Sequence, residues 1–155
     1  MIAVSDTSPL CYLALIGEVE LLATLFEDIS IPPEVGRELT RPGTPTEVRS
    51  WFNARPAWLH LSEAPDIGLL PVTPRLHRGE QEVIALGMAL KSDFLLLDDR
   101  AARSVARNLG LQVTGTLAVL AAGARLGFVN LPSALARLAK TNFRASPELL
   151  RRLLP

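Results

Sequence analysis

Short apolar runs alternate with stretches of helical periodicity along the chain. "IAVS" (Ile2–Ser5), "DISIP", "FLLL" and "LQVTG" read as buried strands, and "WLHLS" as a strand or edge segment. Between them the pattern changes to a period near 3.6. Ser8 is a suitable N-cap with Pro9 at the first helical position, opening a helix through "LCYLAL". Val19, Leu21, Leu22, Leu25 and Phe26 mark a second helix, and "PPEVGREL" a third that runs through Leu39. "TRPGTP" is a turn before a helix over Glu47–Phe52, and residues 63–78 read as a loop. From Gly79 the chain predicts a helix over "GEQEVIALGMALKSD", then helices over "DRAARSVARNLG", "TLAVLAAGARLG", "LPSALARLAK" and "SPELLRRLL".

Strands that are apolar at successive positions are covered on both faces, and strands alternating with helices pair in parallel. The expected architecture is α/β: a three-layer α/β/α sandwich around a parallel sheet of four to five strands. At 155 residues the chain is expected to form one domain over 1–155, with the C-terminal helices of 131–155 packed on it. Ligands in such sheets bind beyond the carboxyl ends of the strands. Asp6 and the pair Asp98–Asp99 stand at two such ends.

Composition narrows the setting. The one cysteine, Cys11, cannot close an internal bridge, which suits a reducing compartment. The opening "MIAVSDTSPL" has no basic leader, and no apolar run approaches the roughly 20 residues that span a bilayer. A cytoplasmic protein that does not enter a membrane is expected. Net charge is zero, but residues 1–99 hold 7 Lys+Arg against 15 Asp+Glu, and residues 100–155 hold 9 against 1. An acidic part folded against a basic part suits a cation site beside a surface for a polyanion, as well as plain solvated helix faces.

The acids are the candidate chemistry. Only one of Asp98 and Asp99 can cap the helix that starts near Arg100, which leaves the other free for a site. Glu34 and Glu38 stand four apart on one helical face, where like charges repel mildly. Glu80 and Glu82 fall in a first turn, where the helix dipole favours acids. Glu82 shares a stripe with Leu86 and Ala89, which points it inward. Carboxylates converging in a cleft cannot all stay ionised unless a cation joins them. Mg²⁺ and Mn²⁺ take oxygen ligands and activate water against phosphodiesters. His60 and His77 lack zinc-type spacing, and neither a phosphate-binding GxxxxGK[ST] loop nor a GxSxG elbow is present.

"VSDTSPL", "IPPEVGREL", "GEQEVIALGMAL" and "LLLDDRAARSVARNLGLQVTGTLAVL", in that order over essentially the whole chain, resemble a PIN domain. More narrowly they resemble the branch with "DTSPL", "LLLDD" and "TGT" signatures, akin to the VapC toxins of toxin–antitoxin pairs. The resemblance implies a Mg²⁺- or Mn²⁺-dependent endoribonuclease. It assigns Asp6, Glu38, Glu82 and Asp99 as catalytic and metal-holding acids, with Asp98 and Glu80 as neighbours able to substitute. A Glu at 82 departs from the commoner Asp. Thr7, Ser8 and Thr116 match the family's hydroxyls near the site, and Arg100, Arg103 and Arg107 share a stripe suited to a phosphate backbone. The implied partners are an RNA substrate, a small antitoxin protein and a second copy in a homodimer. Two other readings have distinct marks: an inactive PIN-like binding module would not cut RNA, and a phosphoacceptor receiver would carry a lysine near "LQVTGT", where there is none.

Overall fold

The computed structural model describes residues 1–70 and 76–154, so residues 71–75 of the loop expected over 63–78 lie outside the described residues. Among the described residues five strands, β1 (Ile2–Ser5), β2 (Asp28–Ile31), β3 (Leu59–Leu61), β4 (Phe94–Leu96) and β5 (Val113–Thr114), form one sheet. Its order is β3-β2-β1-β4-β5, and every pairing is parallel. Ala3 and Val4 on β1, and Ile29 and Ile31 with Ser30 between them on β2, are all buried. Successive buried residues point to opposite faces, so helices cover both sides of the sheet, as the apolar runs predict.

The helices among the described residues are α1 (Thr7–Leu15), α2 (Leu21–Leu25), α3 (Pro33–Thr40), α4 (Thr46–Asn53), α5 (Arg78–Leu90), α6 (Arg100–Asn108), α7 (Thr116–Arg125), α8 (Leu131–Ala139) and α9 (Pro147–Leu153). A 3₁₀ turn occupies Ile67–Leu69. β3 lies at the sheet edge. α8 buries Leu131, Ala134, Leu135 and Leu138, whereas α9 buries none of its residues fully and sets only Leu150 and Leu153 partly against the core.

Two boundaries differ from the periodicity. α1 starts at Thr7 with Asp6 in the cap position, so Pro9 lies within the first turn rather than opening the helix at Ser8. The first-turn N–H groups have no intrahelical partner, so a proline there removes nothing the helix uses. α5 ends at Leu90, three residues before the predicted end, because Lys91 adopts a left-handed conformation (φ 50°) that turns the chain towards β4. Asp93 then locks the turn, its carboxylate accepting from the Ile2 amide (2.7 Å).

The topology also decides where a site can form. The chain builds β1, β2 and β3 outwards in one direction, then returns to lay β4 on the other side of β1. Adjacent strands whose connections leave in opposite directions open a crevice beyond their carboxyl ends. Asp6 follows β1 and Asp98 follows β4 at that point.

Candidate acidic active site

Asp6 leaves β1 still tied to the sheet, its backbone N–H donating to Leu96 O (3.0 Å). Its side chain makes no capping bond to α1, although the residue stands in the cap position. Asp98 comes from the neighbouring strand end, and both its oxygens are held by one residue: Thr116 N donates to Oδ1 (2.8 Å) and Thr116 Oγ1 to Oδ2 (2.7 Å). α3 brings Glu38, whose Oε2 accepts the Thr7 hydroxyl. The first turn of α5 brings Glu80, together with the cap residue His77.

Two glycines permit this approach. A Cβ on Gly79 would sit 2.8 Å from Glu38 Oε1, and one on Gly115 would sit 2.8 Å from Asp98 Oδ1. Neither position tolerates a side chain without displacing a carboxylate of the cluster.

His77 completes the group. Its Nε2 contacts Glu80 Oε1, and its Nδ1 lies 4.0 Å from Glu38 Oε1. One ligand-type atom each from Asp6, His77 and Glu80 falls within 4.8 Å of the other two. Sequence reading weighed this histidine only against zinc spacing. The signal it did offer was its place three residues before Glu80 at a helix start, where both side chains project from one turn.

The electrostatics follow from burial. Asp6 and Glu80 are each only 4% exposed. Desolvation pushes the Asp6 carboxyl up to about 6; the Thr7 N–H and His77 oppose this, while Glu38 and Asp98 add to it. Desolvation likewise raises Glu80 to about 7, against the pull of His77 and with the repulsion of Asp6, Asp99 and Glu38. Asp98 is raised by burial too, and the bonds from Thr116 and the charge of Arg103 oppose the shift. Asp6 Oδ1 and Glu80 Oε2 are buried with no hydrogen-bond partner among the described residues. A buried oxygen left without a donor is costly.

This donor set fits a hard divalent cation. Asp6 and Glu80 offer buried oxygens to spare beside His77, and Glu38 and Asp98 bring further carboxylates that Thr7 and Thr116 hold in place. A cation would supply the positive charge that no guanidinium or ammonium among the described residues brings into direct contact with Asp6, Glu38 or Glu80.

The structure sorts the acids named from the sequence. It brings Asp6, Glu38, Glu80 and Asp98 together, with Asp99 near enough for its charge to act on Glu80. Glu82 is buried, at 5% exposed, but turns elsewhere: Oε2 accepts from Arg78 Nε (3.0 Å) and Oε1 from the Glu34 backbone N–H (3.4 Å). It thereby serves the start of α3, whose own cap residue, Pro32, offers no side-chain acceptor. Of the twin aspartates, Asp99 caps α6, accepting from Ala102 N (2.9 Å), and is exposed, while the half-buried Asp98 turns into the crevice. Thr7 and Thr116 were expected beside a substrate. Their hydroxyls instead donate to Glu38 and Asp98, and Thr116 is fully buried, so both position carboxylates. Ser8 lies inside α1 and is not its cap. On α6, Ala102 and Ala106 face the core, Arg100 and Arg107 are exposed, and Arg103 lies near Asp98 and Gly115.

Among the described residues no helix is long and apolar enough to cross a membrane. The family model described as "DUF3368: PIN domain" matches residues 2–155. A solved structure, a PilT N-terminus domain protein from the hyperthermophilic archaeon Sulfolobus solfataricus P2, superposes with a TM-score of 0.53 at 15% identity, covering 94% of this chain and 100% of that one. At that identity the likeness concerns the fold. No curated protein matches the chain.

Proposed function

The chain belongs to the PIN-domain family, and from that premise we propose that it is a divalent-cation-dependent endoribonuclease. PIN domains are commonly nucleases. The observation that carries the reading is the convergence of Asp6, Glu38, Glu80 and Asp98 at the switch point of the sheet, with two buried oxygens lacking partners. Asp6 and Asp98 hold the floor of the crevice on rigid strand ends. Glu38 and Glu80 close it from the last turn of α3 and the first turn of α5. Thr7 and Thr116 orient Glu38 and Asp98, so that neither carboxylate is free to rotate. Mg²⁺ or Mn²⁺ would be held by these acids and would supply the Lewis acidity that activates water and offsets charge on the phosphate.

α6 runs away from the crevice carrying Arg100, Arg103 and Arg107. Arg103 sits nearest Asp98, and Arg100 and Arg107 extend the positive stripe into solvent, a path for an RNA backbone. Aromatic residues make up only 5% of the chain, which favours recognition through backbone and shape over base stacking. The crevice gathers acids that a basic side chain entering it could neutralise. We extend the proposal accordingly: a toxin of the VapC kind, acting in the cytoplasm as a homodimer and restrained by a small antitoxin.

The test is cleavage of single-stranded RNA by chelator-stripped protein with Mg²⁺ or Mn²⁺ restored. Activity should require the cation and disappear in Asp6→Asn and Asp98→Asn. Equal cleavage by the parent and both variants would remove the assigned site. Coexpression with the product of an adjacent small gene should yield a stable, inactive complex if the toxin reading holds.

A further inference from the structure

One side chain in the acid crevice is not a carboxylate. His77 reaches Glu80 Oε1 through Nε2 and stands 4.0 Å from Glu38 Oε1 through Nδ1. Its ring is open to solvent on one side, with the side chain 56% exposed, while the acids it faces are the buried Glu80 and the half-buried Glu38. Asp6 Oδ1 and Glu80 Oε2 lack partners among the described residues and point to a ligand in this space. One donor atom each from Asp6, His77 and Glu80 lies within 4.8 Å of the others.

We propose that His77 is a nitrogen ligand to the cation held by Asp6 and Glu80, and that it biases the site towards a first-row transition ion, Mn²⁺ or Co²⁺, over Mg²⁺. The inference rests on the metal-nuclease reading and adds to it a residue that sets which ion binds. Mg²⁺ demands near-ideal octahedral oxygen ligands and dehydrates reluctantly, whereas imidazole suits the first-row transition ions. A ligating histidine commonly donates its second ring N–H to a carboxylate, which fixes the tautomer. The carboxylate facing Nδ1 is Glu38, at 4.0 Å and so outside hydrogen-bond range in this structure, itself anchored by Thr7. Capping does not explain the choice of histidine. The bond from Glu80 N to His77 Nδ1 is long, at 3.4 Å, and Asn, Asp or Ser would cap α5 better.

The experiment uses the full chain, stripped with a chelator. Mn²⁺ binding is followed by electron paramagnetic resonance, including nitrogen modulation of the bound-ion signal, and Mg²⁺ by competition. The comparison is between the parent, His77→Asn, His77→Ala and Asp6→Asn. His77→Asn retains a capping acceptor for α5, so it separates ligation from helix stability. The expected result is nitrogen modulation in the parent and its loss in both His77 variants. Mn²⁺ affinity should fall by about tenfold or more while Mg²⁺ affinity changes only a few-fold, narrowing the preference between the ions. Absence of nitrogen coupling in the parent, or equal loss of both ions in His77→Asn, overturns the inference. If Asp6→Asn abolishes binding while the His77 variants behave as the parent, the acid site stands and His77 leaves it. If the parent binds neither ion, the metal-nuclease reading itself fails.

Discussion

Two neighbouring regions of this molecule bury carboxylates, and they treat the charge in opposite ways. Beside α3 and the start of α5, in a cleft of about 340 Å³ lined by Arg37, Glu63, Arg78 and Glu82, each buried acid is matched by a guanidinium. Glu82 pairs with Arg78, and Glu34 pairs with Arg37 (2.8 Å) and Arg41 (2.7 Å), which hold the Glu34 carboxyl below its ordinary range. One helix face away, Asp6, Glu38, Glu80 and Asp98 share a crevice where His77 reaches Glu80 and Arg103 lies near Asp98, but no guanidinium among the described residues pairs with any of the four. The first region is electrostatically complete and holds the fold together. The second is destabilised in its own protein, which is the signature of groups arranged for something that binds. Burial alone does not separate the two, since Glu80 and Glu82 are 4% and 5% exposed. The partner does.

Glu80 and Glu82, two residues apart, give the sharpest way to break that contrast. Glu80→Gln should reduce cation-dependent RNA cleavage by a hundredfold or more, since Lewis-acid stabilisation is worth several kcal/mol. Glu82→Gln should leave cleavage within a few-fold of the parent. Loss of activity of the same size in both variants, measured as kcat/KM on one RNA, would erase the distinction.

Stability should change in opposite directions at the same two regions. In metal-free protein at neutral pH, Asp6→Asn removes a buried, repelled charge and should raise Tm by roughly 3–6 °C, about 1–2 kcal/mol for a chain of this size. Glu82→Gln breaks a compensated pair and weakens the acceptor of the Glu34 amide, and should lower Tm by a similar amount. Thermal unfolding in chelator checks both signs. A fall in Tm for Asp6→Asn would contradict the electrostatic account.

The pH dependence carries the same contrast. Asp6 and Glu80 have folded-state values of about 6 and about 7, above their ordinary 3.8 and 4.5, so the native state holds protons that the unfolded chain has released. Their contribution is fully present below about pH 4 and is lost as pH rises towards 7. The metal-free parent should therefore lose stability across that window, and saturating Mn²⁺ should flatten the fall. A metal-free curve that rises from pH 4 to 7 would contradict the assignment of these two groups.

Smaller effects come from the residues that hold each region in place. Thr116→Val keeps the volume but removes a donor to Asp98, and should cost about 1–3 kcal/mol with reduced cleavage. Arg41→Ala, at the exposed rim of the compensated region, should change stability by less than about 1 kcal/mol and leave cleavage unaltered. Chemical denaturation of the two variants beside the parent ranks them.

Much of this molecule follows from its linear pattern. The apolar runs predict four to five parallel strands and their covering helices, because inner strands such as β1, β2 and β4 are covered on both faces and read as uninterrupted hydrophobics, while the exposed edge strand β3 reads less clearly. The ends of β1 and β4 could be marked as a site for the same reason: an aspartate directly after a buried strand has little room to go elsewhere. Tertiary structure alone decided which acid of each close pair caps a helix or pairs elsewhere and which turns into the crevice. Glu80 and Glu82 lie about 200° apart around an α-helix, and α5 is apolar on so many faces that periodicity cannot say which side meets the crevice. Asp98 and Asp99 were separable into one cap and one site residue, but which is which depends on Thr116, 18 residues further along the chain. His77 joins the acids only because α3 and α5 pack closely across Gly79. Each of these choices is a contact between segments distant in sequence, and such contacts exist only once the sheet has brought the segments together.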